Sequence, residues 1–402
     1  MARVSADFYD ERNGEWRMKM KKVLIFNGYY YPSKNCGGPI TSIENIVNTC
    51  CDEYEFYIIC YNHDFNDMKV FNVEMNTWEC VGHANVMYVE QNFLDFSTKN
   101  MRKMLEELRP DLIWFSGVLT PNNKIVATKI SRKMKIPVLF SPRGELSADR
   151  VRIKAYKKIP YLRLLSLLGV YRNCYFHGTS DDEISGIKKY FRPDAKHLFR
   201  AANISIAQQE EFVHIKKEKG ELKLFFFSRI HEVKNLLFGI KCMCKCKNRV
   251  SLDVYGPIES EEYWKKCMAA VEKAPSNISV SYGGILDYTN KSATIQAHHA
   301  FLFPTINENY GHVIAESIAN SRPVILSKAT TPWDDLHEKA GYVVDLSDPE
   351  GFTRAIDRLA EMNQAEFEKL ILSTKEYFRF KTSEDDAIVK HKHMLDSITK
   401  GR

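Results

Sequence analysis

The segment Phe303–Ile325, FPTINENYGHVIAESIANSRPVI, holds the residue types best suited to chemistry. Two carboxylates, Glu308 and Glu316, stand eight positions apart on either side of Asn309, Tyr310, Gly311 and His312. An apolar run ends at Phe303, and a helix is expected to open near Tyr310–Gly311, with Glu308 just before it and Glu316 about two turns inside it. A helix start presents unpaired N–H groups and the positive end of the helix dipole, a combination that suits phosphate. Gly311 removes the side chain that would obstruct close approach. An ionised carboxylate accepts hydrogen bonds from two neighbouring hydroxyls, so a cleft-facing Glu suits a vicinal diol such as ribose. The plainer alternative is that Glu308 complements the helix dipole and Glu316 is solvated.

A second group, FSRIHEVKN, places two cations, Arg229 and Lys234, just after another apolar run. Cations at that place suit a diphosphate. Other apolar runs lead into glycine-rich turns: Cys36-Gly37-Gly38, Ser141-Pro142-Arg143-Gly144-Glu145, Gly256-Pro257, and Gly283-Gly284 followed by Ile285 and Leu286. Tight turns explain the glycines, but not the added Arg229, Lys234, Glu308 and Glu316.

The elements that must position these residues are short, continuous apolar runs separated by helix-like stretches. A first series runs Val23–Phe26, Phe56–Cys60, Leu112–Phe115, Val138–Phe140 and Cys174–His177. A second runs Leu224–Phe227, Leu252–Tyr255, Ile278–Val280, Ala300–Phe303, Val324–Leu326 and Tyr342–Val344. These runs barely alternate, so they read as strands buried on both faces, the pattern of parallel sheets covered by helices. The expected fold is α/β, with two Rossmann-like doubly wound domains facing across a cleft. Ligands in such sheets bind beyond the carboxyl ends of the strands, where the polar turns lie. The expected division is a flexible extension over 1–20, an acceptor domain over 21–203 and a donor domain over 204–375. Residues 376–402 are expected to form a helical tail that returns to the first domain. Ile388, His391, Leu395 and Ile398 fall at helical spacing in that tail. The interdomain stretch is Ala201–Lys219.

The 402 residues carry a formal charge of +6. Seven basic residues and no acidic ones fall between Arg150 and Arg172, so the rest of the chain is near neutral. This strip (Arg150, Arg152, Lys154, Lys157, Lys158, Arg163, Arg172) interleaves with Leu and Tyr and suits an anionic membrane surface. The alternative is an ordinary helix with a solvated basic face. No recognised module supports nucleic-acid binding. Residues 1–20 contain no apolar h-region and no apolar run approaches ~18 residues, so a cytoplasmic location is expected, with peripheral attachment to the inner face of the cell membrane by the basic strip. The 10 cysteines are then expected to be reduced. Cys242, Cys244 and Cys246 lack a second ligand cluster and read as helix packing, so no metal site is expected.

The spacing Glu308-x₇-Glu316, with Pro304-Thr305 before it and Arg322-Pro323-Val324-Ile325 after it, resembles the signature of glycosyltransferase family 4. Arg229 and Lys234 match that family's Gly-Arg-x₄-Lys-Gly pattern. The Gly37-Gly38 turn, Val254–Pro257 and Tyr282–Gly284 also fit in order, and the resemblance spans roughly residues 21–375. It implies the GT-B fold and a retaining, metal-independent enzyme that needs no cofactor. The donor it implies is a nucleotide-diphosphate sugar, most commonly of UDP. Arg229 and Lys234 are then expected at the diphosphate, and Glu308 at the transferred sugar. Glu316 is expected at the ribose. Gly284, Ile285 and Leu286 are expected at the base edge, and Gly37, Gly38 and Asn309–His312 near phosphate or sugar. Arg143 and Glu145, in a Ser-Pro-Arg-Gly loop, take the acceptor side, with an ion pair between them as the alternative. The implied acceptor is a glycan or lipid-linked saccharide of cell-surface polysaccharide synthesis. Ser228, Asn235 and Ser321 depart from the family, each replacing a common glycine, and a histidine common in the first domain is absent. The competing functions are a non-catalytic nucleotide-sugar-binding subunit and a sugar-nucleotide epimerase. A dehydrogenase is disfavoured because no G-x-G-x-x-G follows the first strand, and a P-loop enzyme because no G-K-[ST] occurs.

Overall fold

The computed structural model describes residues 7–10, 15–18, 20–33, 37–65, 67, 69–90, 98–119, 124–146, 151–152, 155–204, 214–286, 290–308, 310–385 and 387–400. Arg150, Lys154 and Asn309, named above, lie outside these. The chain divides into two units: Met1–Ile204 with Ala387–Arg402, and Ser205–Asp386.

The first unit contains a two-stranded antiparallel sheet and an eight-stranded sheet. The small sheet pairs β1 (Asp7–Asp10) with β2 (Glu15–Met18), with Asp7 opposite Met18 and Asp10 opposite Glu15. The segment expected to be a flexible extension therefore carries paired strands. The large sheet contains β3 (Lys21–Phe26), β4 (Tyr54–Tyr61), β5 (Trp78–Val81), β6 (Ala84–Val89), β7 (Leu112–Ser116), β8 (Val138–Ser141), β9 (Tyr175–Gly178) and β10 (Leu198–Arg200). Their order is β10-β9-β8-β7-β3-β4-β6-β5, parallel except that β5 runs antiparallel to β6. All five residues of β7 and all four of β8 are buried, as a sheet covered on both faces requires. Helix α1 (Gly37–Cys50) presents Ile40, Ile43, Ile46, Val47 and Cys50 to the core. Further helices are α2 (Thr98–Leu108), α3 (Lys124–Met134), α4 (Ala155–Leu167) and α5 (Asp181–Phe191).

The second unit is a six-stranded, wholly parallel sheet of order β13-β12-β11-β14-β15-β16. Its strands are β11 (Glu221–Phe227), β12 (Arg249–Tyr255), β13 (Ile278–Tyr282), β14 (Ala300–Phe303), β15 (Val324–Ser327) and β16 (Gly341–Val344). The chain winds outward from β11 to β13, then returns to the other side of β11 and winds outward again. The loops after β11 and β14 therefore diverge from a single point, the place where open parallel sheets leave a crevice for ligand. Helices α6 (Leu236–Met243), α7 (Glu261–Val271), α8 (Lys291–Gln296), α9 (His312–Ala319) and α10 (Pro349–Glu361) connect and cover the strands. Helix α11 (Gln364–Asp385) also belongs to this unit, so the segment returning to the first unit begins at Ala387 rather than at 376.

That returning helix is α12 (Ala387–Thr399). His391, Met394, Leu395 and Ile398 are buried, and the three apolar side chains pack with Ile43, Ile46 and Val47 of α1 in one core. Ile388, expected on the same stripe, is 45% exposed. The inward stripe starts one turn later, because Met394 supplies the apolar contact.

Candidate active site

In the second unit, the loops after β11 and β14 are tied together before any functional side chain is placed. Ile306 N–H donates to the Val233 carbonyl at 2.8 Å, and Thr305 Oγ1 donates to the same oxygen at 3.1 Å. Lys234, in the 3₁₀ turn Glu232–Lys234, is 8% exposed. Its ammonium lies 5.4 Å above the Phe303 ring and donates to Glu308 Oε2 at 2.5 Å. Burial in a low-dielectric crevice strengthens such a pair, provided both ions keep their partners. Arg229 Nη1 donates to Glu259 Oε2 at 2.6 Å from the neighbouring turn. Two cations and two carboxylates therefore occupy the loops at the carboxyl end of the sheet.

Helix α9 follows directly. Its N-cap, Gly311, has φ 76° and ψ 61° and, as a glycine, brings no side chain of its own to cap the helix. A Cβ at Gly311 would lie 2.6 Å from Ile314 Cδ1 and 3.2 Å from Glu308 Cγ. Glycine suits this left-handed position without strain, and a side chain here would press on Ile314 and Glu308. Tyr310 is fixed from behind by Trp333, whose Nε1 donates to the Tyr310 carbonyl at 2.6 Å, and its ring stands 5.0 Å from that of His312. Glu316 is the fifth helical residue, one turn in rather than two, because the helix starts at His312. It is 3% exposed and accepts from the Lys291 ammonium, so the solvated alternative does not hold. Lys291 in turn stands 5.2 Å over the ring of Phe227, the last residue of β11.

The turn after β13 supplies the remaining second-unit residues. Gly284 has φ 75°, and its carbonyl accepts from Gly256 N–H at 2.9 Å. Ile285 is 48% exposed and Leu286 is half-buried. Two of the departures from the family pattern gain a physical reading. Asn235 has φ 58° and Ser321 has φ 58°, so both occupy left-handed positions that glycine adopts without strain. Asn tolerates this conformation through its short polar side chain, and Ser321 does so at some cost.

In the first unit, Gly37 and Gly38 are the opening residues of α1. Arg143 has φ 51° and its guanidinium carbon lies 5.6 Å over the Trp114 ring. Nη1 donates to Asn203 Oδ1 at 3.0 Å, an oxygen that also accepts from Ser42 of α1 at 3.2 Å. Among the described residues, none hydrogen-bonds the buried Nε and Nη2 atoms of Arg143, and burial draws its pKa down to about 10, opposed by Glu183. Glu145 Oε2 accepts from Val118 N–H at 2.5 Å and Leu119 N–H at 2.7 Å, bracing the loop after β7. Arg143 and Glu145 thus have separate partners, and the ion pair considered between them is not the arrangement found. Glu183 holds the loop from below, accepting from Gly144 N–H and, at 2.7 Å, from Thr179 N–H.

Four predicted residues belong to the basic strip. Arg152 and Lys157 are exposed, but Lys158 is only half exposed. It shares the inward stripe of α4 with buried Leu162 and Leu165, four and seven positions on. Cys242 and Cys246 pack in the core of the second unit, and burial pushes the Cys242 thiol up to about 12. Sequence reasoning missed Lys291 and Glu259. Both are partners of predicted residues, 25 and 30 positions away, and no local spacing marks them.

Residues 207–375 match the model for glycosyl transferases group 1. No curated protein matches the sequence. Among solved structures, the chain resembles sucrose-phosphate synthase from Thermosynechococcus elongatus at 12% identity and TM-score 0.70, covering 95% of this chain and 100% of that one. It also resembles Anabaena HepE, solved with UDP and glucose, at 14% identity and TM-score 0.67, covering 94% and 100%. A third is an α,α-trehalose-phosphate synthase (UDP-forming) from Burkholderia vietnamiensis, at 13% identity and TM-score 0.65, covering 94% and 100%. These similarities establish the architecture: the chain has the GT-B fold.

Proposed function

We propose that the protein is a retaining, metal-independent glycosyltransferase of family 4 that moves a sugar from a UDP-sugar to a glycan or lipid-linked saccharide in cell-surface polysaccharide synthesis. The observation that carries this reading is the Lys234–Glu308 pair where the loops after β11 and β14 diverge, with Arg229 in the same loop as Lys234 and a glycine-led helix start beside it. The solved relatives with UDP or UDP-sugars support the choice of donor.

Arg229 and Lys234 bind the donor diphosphate and stabilise the negative charge that grows as the sugar–phosphate bond breaks, which is the work a divalent metal does elsewhere. The N–H groups at the start of α9 add donors to phosphate or sugar. Glu308 is oriented by Lys234 and accepts from hydroxyls of the transferred sugar. Glu316, held by Lys291, accepts from the ribose hydroxyls. Gly284, Ile285 and Leu286 line the base edge. The acceptor binds to the first unit, where Arg143 is rigidly presented. Transfer with retention proceeds by front-face attack, in which the leaving phosphate takes the acceptor proton, so no protein base is assigned.

The test is nucleotide release from a panel of nucleotide sugars, with and without chelator. The expected result is chelator-resistant turnover of one UDP-sugar, lost in Lys234→Ala and Glu316→Ala, with the product's anomeric configuration retained by NMR. Tight donor binding without turnover under any acceptor condition would instead identify a non-catalytic binding subunit.

A further inference from the structure

Helix α4 is apolar on two opposite faces. Inward, Leu162 and Leu165 are buried in the first unit's core. Outward, Leu164 and Leu167 are 54% and 86% exposed, and Leu168 just beyond the helix is 50% exposed. Tyr156, at 72% exposure, and exposed Pro160 continue this outward stripe toward the helix start at spacings of four. Three leucines and a tyrosine on one solvent-facing stripe are a contiguous patch, unlike the scattered exposed apolar residues of an ordinary surface.

Basic residues flank the patch. Arg152, Lys157 and Arg163 are exposed on or beside the stripe, and Lys157 lies 5.6 Å over the Tyr156 ring. The neighbouring helix α5 ends against it. Tyr190 lines a shallow groove of about 310 Å³ with Arg163, Ser166 and Leu167, and exposed Lys188 and Lys189 precede it. On the other side, Arg132 of α3 donates to the carbonyls of Val170 and Arg172 at 2.9 and 3.0 Å, anchoring the turn after α4. Exposed Lys129, Lys133 and Lys135 accompany it. Arg163 on the helix, Lys188 and Lys189 beside Tyr190, and Arg132 at the following turn therefore bring cations to one apolar stripe, and residues 150–172 contain no acidic residue.

We propose that this face of the first unit docks onto an anionic lipid bilayer, with Leu164, Leu167 and Leu168 entering the headgroup–acyl boundary and the surrounding lysines and arginines facing lipid phosphates. The charge pattern selects a bilayer over a protein partner: a protein contact would need acidic groups placed against each cation, whereas an anionic leaflet satisfies them all without register. The helix lies on the membrane rather than through it, since among the described residues no helix is long and apolar enough to cross. The inference extends the proposed function to the surface that carries a lipid-linked acceptor. It stands on its own observations, so vesicle binding and donor turnover are measured separately.

The experiment is co-flotation of the full-length protein with vesicles of phosphatidylcholine, with and without phosphatidylglycerol. The expected result is binding only to the anionic vesicles, abolished by high salt. Lys157→Gln with Arg163→Gln is expected to weaken it about tenfold or more, as is Leu164→Ser with Leu167→Ser. Neither variant should change donor turnover in solution, and an unchanged circular dichroism spectrum verifies folding. Absence of binding to anionic vesicles at low salt overturns the proposal. So does a leucine variant that binds as well as the parent. Concentration-dependent dimerisation abolished by the leucine variant, with no vesicle binding, assigns the patch to a second copy of the chain and equally overturns it.

Discussion

The contact between Lys234 and Glu308 can be either a structural brace or part of the donor site, and a double-mutant cycle distinguishes them. Their side chains are 10% and 24% exposed and 2.5 Å apart. At an effective dielectric of ~20 the gross attraction is about 6–7 kcal/mol, and desolvation of the two ions returns most of it. A net coupling of about 1.5–3 kcal/mol follows for a pair this buried. Lys234→Met strands the Glu308 carboxylate and is expected to destabilise the second unit by about 2–4 kcal/mol. Glu308→Gln strands the ammonium and costs about as much. The double variant is expected to recover part of that loss, because neither ion is left alone. Activity behaves differently. Each single variant lowers donor turnover by about 10²–10³ through loss of an electrostatic contact to the reacting groups, and the double variant recovers none of it. Urea denaturation followed by tryptophan fluorescence reads the stability arm, since Trp264 and Trp333 lie in the second unit. Nucleotide release reads the other. A double variant that regains turnover to within tenfold of the parent would refute the assignment and make the pair a brace.

Two further perturbations test the folding logic. Ser321 is buried at φ 58°, a left-handed position that glycine adopts without strain. Ser321→Gly relieves a left-handed strain of ~1–2 kcal/mol and adds unfolded-chain entropy, for a net gain of about 0.5–1 kcal/mol in denaturant stability; a loss of stability would show that the strain is absent. His391 is buried, bonded through Nδ1 to the Ala387 carbonyl at 2.8 Å, and burial is the main cause holding its pKa down to about 4. Between pH 6.5 and 4 the unfolded chain takes up a proton that the folded chain refuses, so stability falls as pH falls through that window, by up to about 3 kcal/mol. Buried His177, whose pKa is also lowered, acts in the same direction. His391→Leu should flatten the acid limb of urea midpoints measured between pH 7 and 4.5, and equal acid loss in both proteins would contradict this.

Most strands buried on both faces were readable from composition alone. Leu112–Phe115 and Val138–Phe140 are continuous apolar runs because no residue of those strands meets water. The same criterion passed over β5 and β6. Trp78–Val81 pairs with Ala84–Val89 at the sheet margin, where β5 is no more than half-buried and the two-residue turn at Gly82–His83 joins them. β5 is the edge strand and needs only one neighbour, so its sequence carries a weaker signal; β6 lies between β4 and β5 and is mostly buried, so edge position does not account for it. The α4 leucines show the opposite limit. Their apolarity was legible, but which of them face the core was not, because Leu162, Leu164, Leu165 and Leu167 are alike in sequence.

The sequence by itself determined the fold class, and it placed Arg229, Lys234, Glu308 and Glu316 on the segments that follow two apolar strands. Parallel strands are written as apolar runs, and the glycine and charge pattern at their carboxyl ends is local. Tertiary structure alone decided the partnerships. Lys234 meets Glu308 across 74 positions because the chain reverses its winding at β11 and lays β14 beside it. Lys291, at the start of α8, reaches Glu316 within α9, and Glu259, after β12, reaches Arg229 after the neighbouring strand β11. Strand order is a property of which sheet edges pack against which helices, and no spacing along the chain encodes it.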